Sequence, residues 1–535
     1  MRRSLGALPL AVLWGGPVVL ALPFLILPAL DGEAWQLLLA HPQLAPGLAL
    51  SLATGAAATL LALAASLLLL AGLHGSGARR SFEAASAAGL ALPHLAFAIG
   101  AGFLIMPSGL LARIFVGGGE PPSWISVQDP WGLSLTLGLA LKEIPFLTTA
   151  AFATLKRGEH AGALEAQCRA ARSLGHGPGS AFLRVVLPQL LRQLRWPILA
   201  VFTYGATVVD MALVLGPTQP PTMSVVIWHA LNDAEPAQNR MGLVGALLLT
   251  AALALAAGAA AAMLAALRRP LRRFLTGGPS ALGLPRRQAM SLGLALAAVF
   301  ALSVVMLLML SVAPRWPYPA LLPPGFSGAA WETLAASPNP LWLSLGLGLA
   351  TSTSAIVIAI LWFETQPPAR DRWVVGLALA SLALPQLALA AGQYRLLLGL
   401  HLSGTLAGLF LAHLTPAAAY VVLVLSGPYR GFDMRYMAAA RALSASSLRA
   451  WLSVKAPLLK APLLTAGAIG FAVSMAQFVP AQLVAAGRHS TVPMEAVTLS
   501  AGGSRPLTAA FALALAAPPL AAFLLAALLG KPRWR

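Results

Sequence analysis

The sequence is poor in cysteine and in charged residues, and it lacks a nucleotide-binding loop. A single cysteine, Cys168, excludes an intramolecular disulfide, and we expect it to be an ordinary small residue. The nine histidines are scattered without the spacing of metal ligands. No Gly-x4-Gly-Lys-Ser/Thr phosphate loop occurs, since the nearest string, at 529–532, lacks the first glycine and the hydroxyl. We therefore predict that this chain binds no cofactor and hydrolyses no nucleotide itself.

Charged residues make up only 10% of the 535 positions, whereas soluble proteins carry roughly 25%. Hydrophobic residues make up 58%, which predicts an integral membrane protein. A spanning helix needs about 20 mostly apolar residues, and backbone hydrogen bonding in lipid favours helices for runs of this length. The predicted fold is all-α, with about twelve transmembrane helices at 8–30, 45–73, 84–106, 132–155, 197–217, 241–267, 288–314, 341–362, 374–394, 403–426, 461–485 and 506–529.

The formal net charge of +19 is distributed unevenly between the two sets of loops. Loops on the side of the N-terminus hold most of the 35 lysines and arginines. The opposite loops hold only six, namely Arg113, Arg240, Arg315, Arg395, Arg488 and Arg505. Because loops rich in Lys and Arg remain in the cytoplasm, both termini are predicted to be cytoplasmic. The charge thus indicates membrane topology, and we predict no nucleic-acid partner.

Two pairs of segments indicate an internal duplication. The string ALPHLAFAIG at Ala91–Gly100 recurs as ALPQLALAAG at Ala383–Gly392, which is 292 residues later. A basic, polar segment at Arg169–Pro188 recurs at Ala438–Pro457, which is 269 residues later. We call these two basic segments loop 1 and loop 2.

The duplication predicts two parallel repeats of six helices each, at 1–267 and 288–535. An even number of helices per repeat returns both copies to the same side, so that loop 1 and loop 2 are both cytoplasmic. Residues 268–287 join the repeats and are rich in Arg, Gly and Pro. This composition disfavours a spanning helix and predicts a flexible cytoplasmic linker.

The two loops share small residues, then a Gly or Ser, then a Val-x-x-Pro ending. The positions that carry this pattern are Arg169, Ala170, Ala171, Gly175, Val185, Leu187 and Pro188 in loop 1, and Ala438, Ala439, Ala440, Ser444, Val454 and Pro457 in loop 2. The pattern resembles the Glu-Ala-Ala loop of ABC-transporter permeases that work with a separate solute-binding protein. Neither copy keeps the glutamate of that motif, because Arg169 and Ala438 occupy its position. The alternative interpretation is a solvated basic loop without a partner.

In the ABC permease family, this loop docks into a groove on the ATPase subunit. The resemblance therefore implies two copies of a separate ATPase subunit, which bind ATP and Mg²⁺, and an extracytoplasmic solute-binding protein. It also implies a multi-pass protein of the bacterial inner membrane. Fused double permeases of this length occur in ferric-iron and thiamine-type uptake systems, and the strings at 91–109 and 128–147 resemble the thiamine-type subgroup.

Ionisable and polar side chains at membrane depth are costly, so they are candidates for a solute pathway. The candidates are Lys142, Glu143, Asp210, His413 and Gln477. The alternative is interhelical pairing, for example of Lys142 with Glu143 or Asp210. Prolines predicted to kink their helices lie nearby, at Pro93, Pro145, Pro385 and Pro416.

Two other classes of protein compete with a permease. A secondary transporter with parallel repeats would need ion-binding carboxylates near the midplane, but Glu143 and Asp210 both lie in the first repeat. A membrane-embedded enzyme would need a clustered catalytic set, and the sequence contains none above background. The sequence therefore favours a transport subunit over an enzyme.

Overall fold

The computed structural model describes residues 7–73, 76–155, 158–443 and 446–531. Helices make up 79% of these described residues, which contain no β-strand. The longer helices are Gly16–Ile26, Leu44–Leu73, Ala78–Ala91, His94–Ile105, Leu133–Leu155, Gly158–Ser173, Leu187–Thr207, Pro236–Ala266, Arg286–Ser311, Asn339–Thr365, Asp371–Ala383, Gln386–Gly399, Leu406–Arg430, Lys460–Met475 and Arg505–Leu529. The shorter helices are Gly32–Ala40, Leu110–Phe115, Pro178–Ala181, Asp210–Leu215, Met223–Leu231, Arg268–Leu275, Ala329–Ala336, Met434–Leu443, Ser447–Ala450, Ala456–Leu458, Val479–Ala485 and Val492–Ser500.

The described part of the chain has nine helices that are long and apolar enough to cross a membrane. Two further pairs of helices meet the same test together but are bent, by 104° and 79°, which gives up to eleven spans. These elements confirm an all-α membrane protein of many spans. Of the twelve predicted spans, only 197–217 has no counterpart among them, because Leu187–Thr207 carries Arg192 and Arg195 and the chain breaks after it.

Some predicted spans are broken helices, which the hydrophobic runs did not indicate. The span predicted at 84–106 is divided between Ala78–Ala91 and His94–Ile105, and the one at 374–394 is the pair bent by 104°. At both breaks the residue before proline is extended, with ψ of 120° at Leu92 and 138° at Leu384. Proline disfavours the helical conformation in the residue before it, so these prolines end helices instead of kinking them. By contrast, two other prolines, Pro145 and Pro416, lie inside continuous helices.

The chain forms two compact units, and each combines segments from both repeats. One unit comprises the residues up to Trp35, Ala230–Val244 and the residues from Ser327, and the other comprises Gln36–His229 and Gly245–Phe326. The first helix of the chain thus belongs with the second repeat, and Arg286–Ser311 belongs with the first. The bounds 1–267 and 288–535 describe the repeats of the sequence and stay a prediction, whereas the compact units have different bounds.

Equivalent glycines receive these exchanged helices. An added Cβ at Gly392 would lie 2.5 Å from the carbonyl oxygen of Ala21, in the first helix of the chain. Gly100 and Gly392 end the two copies of the repeated string, Ala91–Gly100 and Ala383–Gly392, which we call the ALPxLA segments. An added Cβ at Gly100 would lie 2.6 Å from the carbonyl oxygen of Ser303. Both distances are too short for a real side chain, so only glycine lets these backbones approach so closely. The ALPxLA segments that revealed the duplication therefore end on equivalent helix contacts.

The duplication is also visible in the bounds of the later elements. In the helices that start at Pro178, Asp210, Met223 and Pro236, the first residue lies 269 positions before that of its counterpart, at Ser447, Val479, Val492 and Arg505. One side-chain contact repeats as well, since the backbone N–H of Met223 donates to Ser51 Oγ and that of Val492 to Ser344 Oγ, each at 2.9 Å. The two repeats therefore share tertiary contacts as well as sequence.

Asp129 organises the start of the helix Leu133–Leu155. Its carboxylate accepts the backbone N–H groups of Trp131, Leu133 and Ser134 at 3.1, 2.8 and 2.8 Å, together with the Ser134 hydroxyl. Burial opposes ionisation, but these hydrogen bonds outweigh it and hold the pKa of Asp129 below the ordinary value of 3.8. The carboxylate therefore satisfies N–H groups that have no partner within the helix.

Replacing Asp129 with alanine is expected to lower the free energy of unfolding by about 2 kcal/mol, because the hydrogen bonds that it removes go to a charged group. Since the folded pKa is lowered, this stabilisation is present at neutral pH and is lost as the pH falls through that pKa. Thermal unfolding of purified wild type and Asp129→Ala at neutral pH and at a pH below the ordinary Asp value measures both effects. A difference that stays constant with pH would contradict the assignment to the ionised form.

Candidate functional site

Loop 1 is a helix–turn–helix. The helix Gly158–Ser173 ends in a turn in which Gly175 has φ of +89°, a conformation that favours glycine. Its N–H donates to the carbonyl of Arg172 at 3.0 Å, as in a helix C-cap. The short helix Pro178–Ala181 is followed by the segment Phe182–Val186 and the helix Leu187–Thr207. Cys168 lies in the first helix, where burial and the charge of Glu165 raise the pKa of its thiol.

Loop 2 repeats the described parts of this arrangement. In loop 1, Arg169 and Ala170 are exposed and Ala171 is half-buried. In loop 2, the matching Ala438 and Ala439 are exposed and Ala440 is half-buried. The residue before Gly175 and the residue before Ser444 in the pattern are both strongly exposed leucines, 71% for Leu174 and 91% for Leu443. Ser444, which takes the place of Gly175 in the pattern, lies outside the described residues. The two loops thus present a similar surface of small side chains that ends in a leucine.

A wide helical turn follows at the same register in both loops. The segments Phe182–Val186 and Trp451–Lys455 are π-helical and occupy matching positions in the two repeats. Such turns are rare and occur frequently at functional sites. The remaining pattern positions lie within or directly after them, half-buried in the case of Val185, Leu187, Pro188 and Val454, and exposed in the case of Pro457.

The linker between the repeats packs against loop 1, which differs from the flexible segment that its composition predicts. The N–H groups of Gly177 and Gly179 donate to the carbonyls of Ser280 and Leu282 at 2.7 and 2.8 Å. The guanidinium of Arg184 donates to the carbonyls of Gly277 and Gly278 and lies over the ring of Phe274. Glycine makes this close packing possible, because an added Cβ at Gly179 would overlap the carbonyl oxygen of Gly283.

Lys142 is buried and donates to a backbone carbonyl. Its Nζ lies 2.6 Å from the carbonyl oxygen of Gly89, whereas interhelical pairing predicted a carboxylate partner. Gly89 stands four residues before Pro93, which has no N–H to donate to it. The lysine therefore satisfies a carbonyl that the proline break leaves without its usual helical partner.

Glu143 hydrogen-bonds with a histidine, His94, that the sequence pattern alone does not indicate. The Oε1 atom of Glu143 lies 3.1 Å from Nε2 of His94, the first residue of the helix after the proline break. The ring of Tyr204 lies 4.9 Å from that of His94, measured between centroids. Asp210 is partly exposed and begins the short helix after the break at Val208–Val209. The first repeat thus holds acidic and aromatic groups at membrane depth.

The second repeat has amide and hydroxyl groups in the corresponding region. Gln386, which aligns with His94, donates through Nε2 to Oε1 of Gln477 at 2.9 Å. His413, which aligns with Lys142, lies 3.0 Å from Ser474 Oγ through Nδ1. His94 and Gln386 occupy the variable position x in the two ALPxLA segments, and both are polar. A comparison of the two copies would therefore have identified both residues as candidates. In the described ranges, no group of three His, Cys, Asp or Glu residues is arranged to hold a metal ion.

No family model matches the chain. A curated relative is 31% identical over 515 residues, which cover 96% of this chain and 94% of the relative. With the helical, duplicated fold described above, this similarity shows that the chain belongs to the ABC transporter permeases. The relative is the inner membrane ABC transporter permease protein YnjC of Escherichia coli (strain K12).

Proposed function

We propose that this chain forms the transmembrane pathway of an ABC importer for a small solute. Two copies of a separate ATPase subunit bind loop 1 and loop 2 in the cytoplasm, and ATP and Mg²⁺ are held by that subunit. A solute-binding protein delivers the solute from the other side of the inner membrane. Both termini face the cytoplasm, as the distribution of Lys and Arg indicates.

The observation that carries this proposal is the repetition of one exposed surface in two loops. A single exposed apolar side chain is ordinary on a protein surface, so the informative feature is its repetition at one position of both loops. Leu174 and Leu443 occupy the same position in the two repeats, and both are exposed. Small neighbours such as Ala170 and Ala439 let another protein approach closely. A solvated basic loop would not need a leucine at this position in both copies.

The polar groups at membrane depth support a solute pathway, with different chemistry in each repeat. Glu143 and Asp210 in the first repeat supply carboxylates, and His413 and Gln477 in the second supply neutral polar groups. Lys142 is assigned a structural role, because its ammonium group is occupied by the Gly89 carbonyl. Ferric iron and thiamine-like compounds are the solutes that the resemblance implies, and ligand screening of the partner binding protein would distinguish them.

The proposal is tested by purifying the tagged chain from native membranes and quantifying the proteins that accompany it. We expect an ATPase subunit at about two copies per permease, because each repeat offers one loop. Recovery of the permease alone, under conditions that preserve known ABC complexes, would favour the secondary transporter. Solute uptake that persists without the ATPase subunit would do the same.

Replacing Leu174 or Leu443 with glutamate is expected to weaken ATPase binding at that loop by about tenfold or more, because a buried apolar anchor contributes strongly to an interface. Either single variant should retain about one ATPase subunit per permease, and the double variant should retain almost none. Leu322→Glu is the matched control, since Leu322 is also 71% exposed but lies in a predicted extracytoplasmic loop. Unchanged recovery in the double variant would refute the docking role of these leucines.

A further inference from the structure

Two residues of loop 2 take part in a partly buried ionic cluster. Lys455, the last residue of the wide turn, is only 4% exposed, and its Nζ lies 2.7 Å from Oε1 of Glu364. The same carboxylate oxygen accepts the Tyr429 hydroxyl at 2.6 Å, and Tyr429 accepts Nε1–H of Trp451 at 2.9 Å. The ammonium group also lies 4.2 Å from the centre of the Tyr429 ring, within the range of a cation–π interaction.

The cluster joins loop 2 to the ends of two long helices. Glu364 is the penultimate residue of Asn339–Thr365, and Tyr429 is the penultimate residue of Leu406–Arg430. Lys455 and Trp451 belong to loop 2 itself. Because the four side chains share hydrogen bonds, a displacement of the loop acts directly on both helix ends.

A second group of contacts fixes the same helix ends to each other. Arg430 binds Asp371 through two hydrogen bonds of 2.6 and 2.8 Å, and it also donates to the carbonyls of Phe363 and Gln366. Two parallel bonds between a guanidinium and a carboxylate resist rotation better than a single contact. These hydrogen bonds therefore connect the two helix ends, and Lys455 connects the loop to them.

The first repeat has an apolar residue at the position of Lys455. Val186, the matching residue of loop 1, packs in a hydrophobic cluster with neighbours such as Leu190 and Phe152. Loop 1 is fixed instead by the linker, through Gly177, Gly179 and Arg184. A buried charge is costly, and Val186 shows that an apolar side chain can fill the same position in the other repeat. The charge of Lys455 therefore has a role other than packing.

We propose that Lys455 is a positioning residue that, with Glu364 and Tyr429, transmits the movement of loop 2 to the helices Asn339–Thr365 and Leu406–Arg430. The inference rests on the proposed function, since the movement comes from an ATPase bound to the loop. Lys455 does not contact the solute or the nucleotide. Its role is to keep the loop and the two helix ends in one mechanical unit.

The test compares transport and ATP hydrolysis in complexes reconstituted in lipid with the ATPase subunit and the binding protein. Lys455→Met is expected to bind the ATPase subunit as wild type does, but to lower the transport per ATP hydrolysed by about tenfold, in the range seen for residues that couple two sites. Lys455→Arg keeps the charge and should restore part of the ratio. Lys460→Met makes the same substitution at an exposed lysine nearby, and it should leave the ratio unchanged.

The double variant Lys455→Met with Glu364→Gln separates coupling from folding. It removes both charges, so its thermal stability should exceed that of Lys455→Met, while its transport per ATP should remain low. A double variant that regains wild-type coupling, or a folded Lys455→Met with an unchanged ratio, would overturn the inference. A wild-type permease that binds no ATPase subunit would instead refute the proposed function, and the inference with it.

Discussion

Alanine in place of Gly179 is expected to release the linker between the repeats from loop 1. The added Cβ would overlap the carbonyl oxygen of Gly283, which belongs to the backbone and cannot rotate away. The linker would then lose the hydrogen bonds from Gly177 and Gly179 to Ser280 and Leu282. Loss of two such bonds together with the close packing corresponds to about 2 kcal/mol. The attached state should thus become about thirtyfold less favoured relative to the open state.

Limited proteolysis of the purified protein measures this opening. Thermolysin cleaves before leucine, so cleavage before Leu282 and Leu284 requires the linker to leave loop 1. When opening and closing are fast, the rate of cleavage follows the open population, and Gly179→Ala should be cut about thirtyfold faster than wild type. Gly278→Ala is the matched control, because an added Cβ at that linker glycine has open space around it. Equal cleavage rates in the two variants would show that the linker is not held by this contact.

The sequence predicts the positions of most spans because apolar runs of about 20 residues have few alternatives in lipid. It does not predict where a span breaks. Pro93 and Pro385 end helices, whereas Pro145 and Pro416 lie inside them, although all four stand in apolar runs. The residue before the proline is extended at Leu92 and Leu384 but helical before the other two prolines, and the apolar runs alone do not distinguish these cases.

The exchange of first helices between the repeats also lies beyond the sequence pattern. Hydropathy identifies the helix near the N-terminus but not the surface that it packs on. Gly392 receives that helix, whereas the equivalent Gly100 receives Arg286–Ser311, a relation that only the tertiary contacts reveal. The repeated ALPxLA string indicates equivalent positions, but the partner at each position depends on the path of the chain.

For the candidate site, residue types were easier to predict than partners. Sequence periodicity located both loops, and the structure gives them similar conformations at the register that the repeat predicts. The cluster of Lys455 and Glu364 was missed because the two residues are 91 positions apart and neither matches a known motif. His94 was missed for a different reason, since a single histidine in an apolar run is more often a packed residue than a functional one.

The two interpretations of Lys142 make opposite predictions. If Lys142 contacts the solute, its removal should impair transport and leave the fold intact. If it serves the Gly89 carbonyl, its removal should weaken the fold, because a backbone acceptor is then left without a partner and the Glu143 carboxylate loses a nearby positive charge. The contact of 2.6 Å and the missing N–H of Pro93 favour the second.

Lys142→Met is therefore expected to lower the free energy of unfolding by about 3 kcal/mol, which is typical when one partner of a buried charged contact is removed. Thermal unfolding in detergent measures the loss, and Lys460→Met, at an exposed lysine, provides the control. Adding Pro93→Ala to Lys142→Met removes the restriction on Leu92 and supplies the N–H that a continued helix would direct at the Gly89 carbonyl, so it should recover part of the stability. A Lys142→Met protein that unfolds like wild type but transports poorly would instead support a contact between Lys142 and the solute.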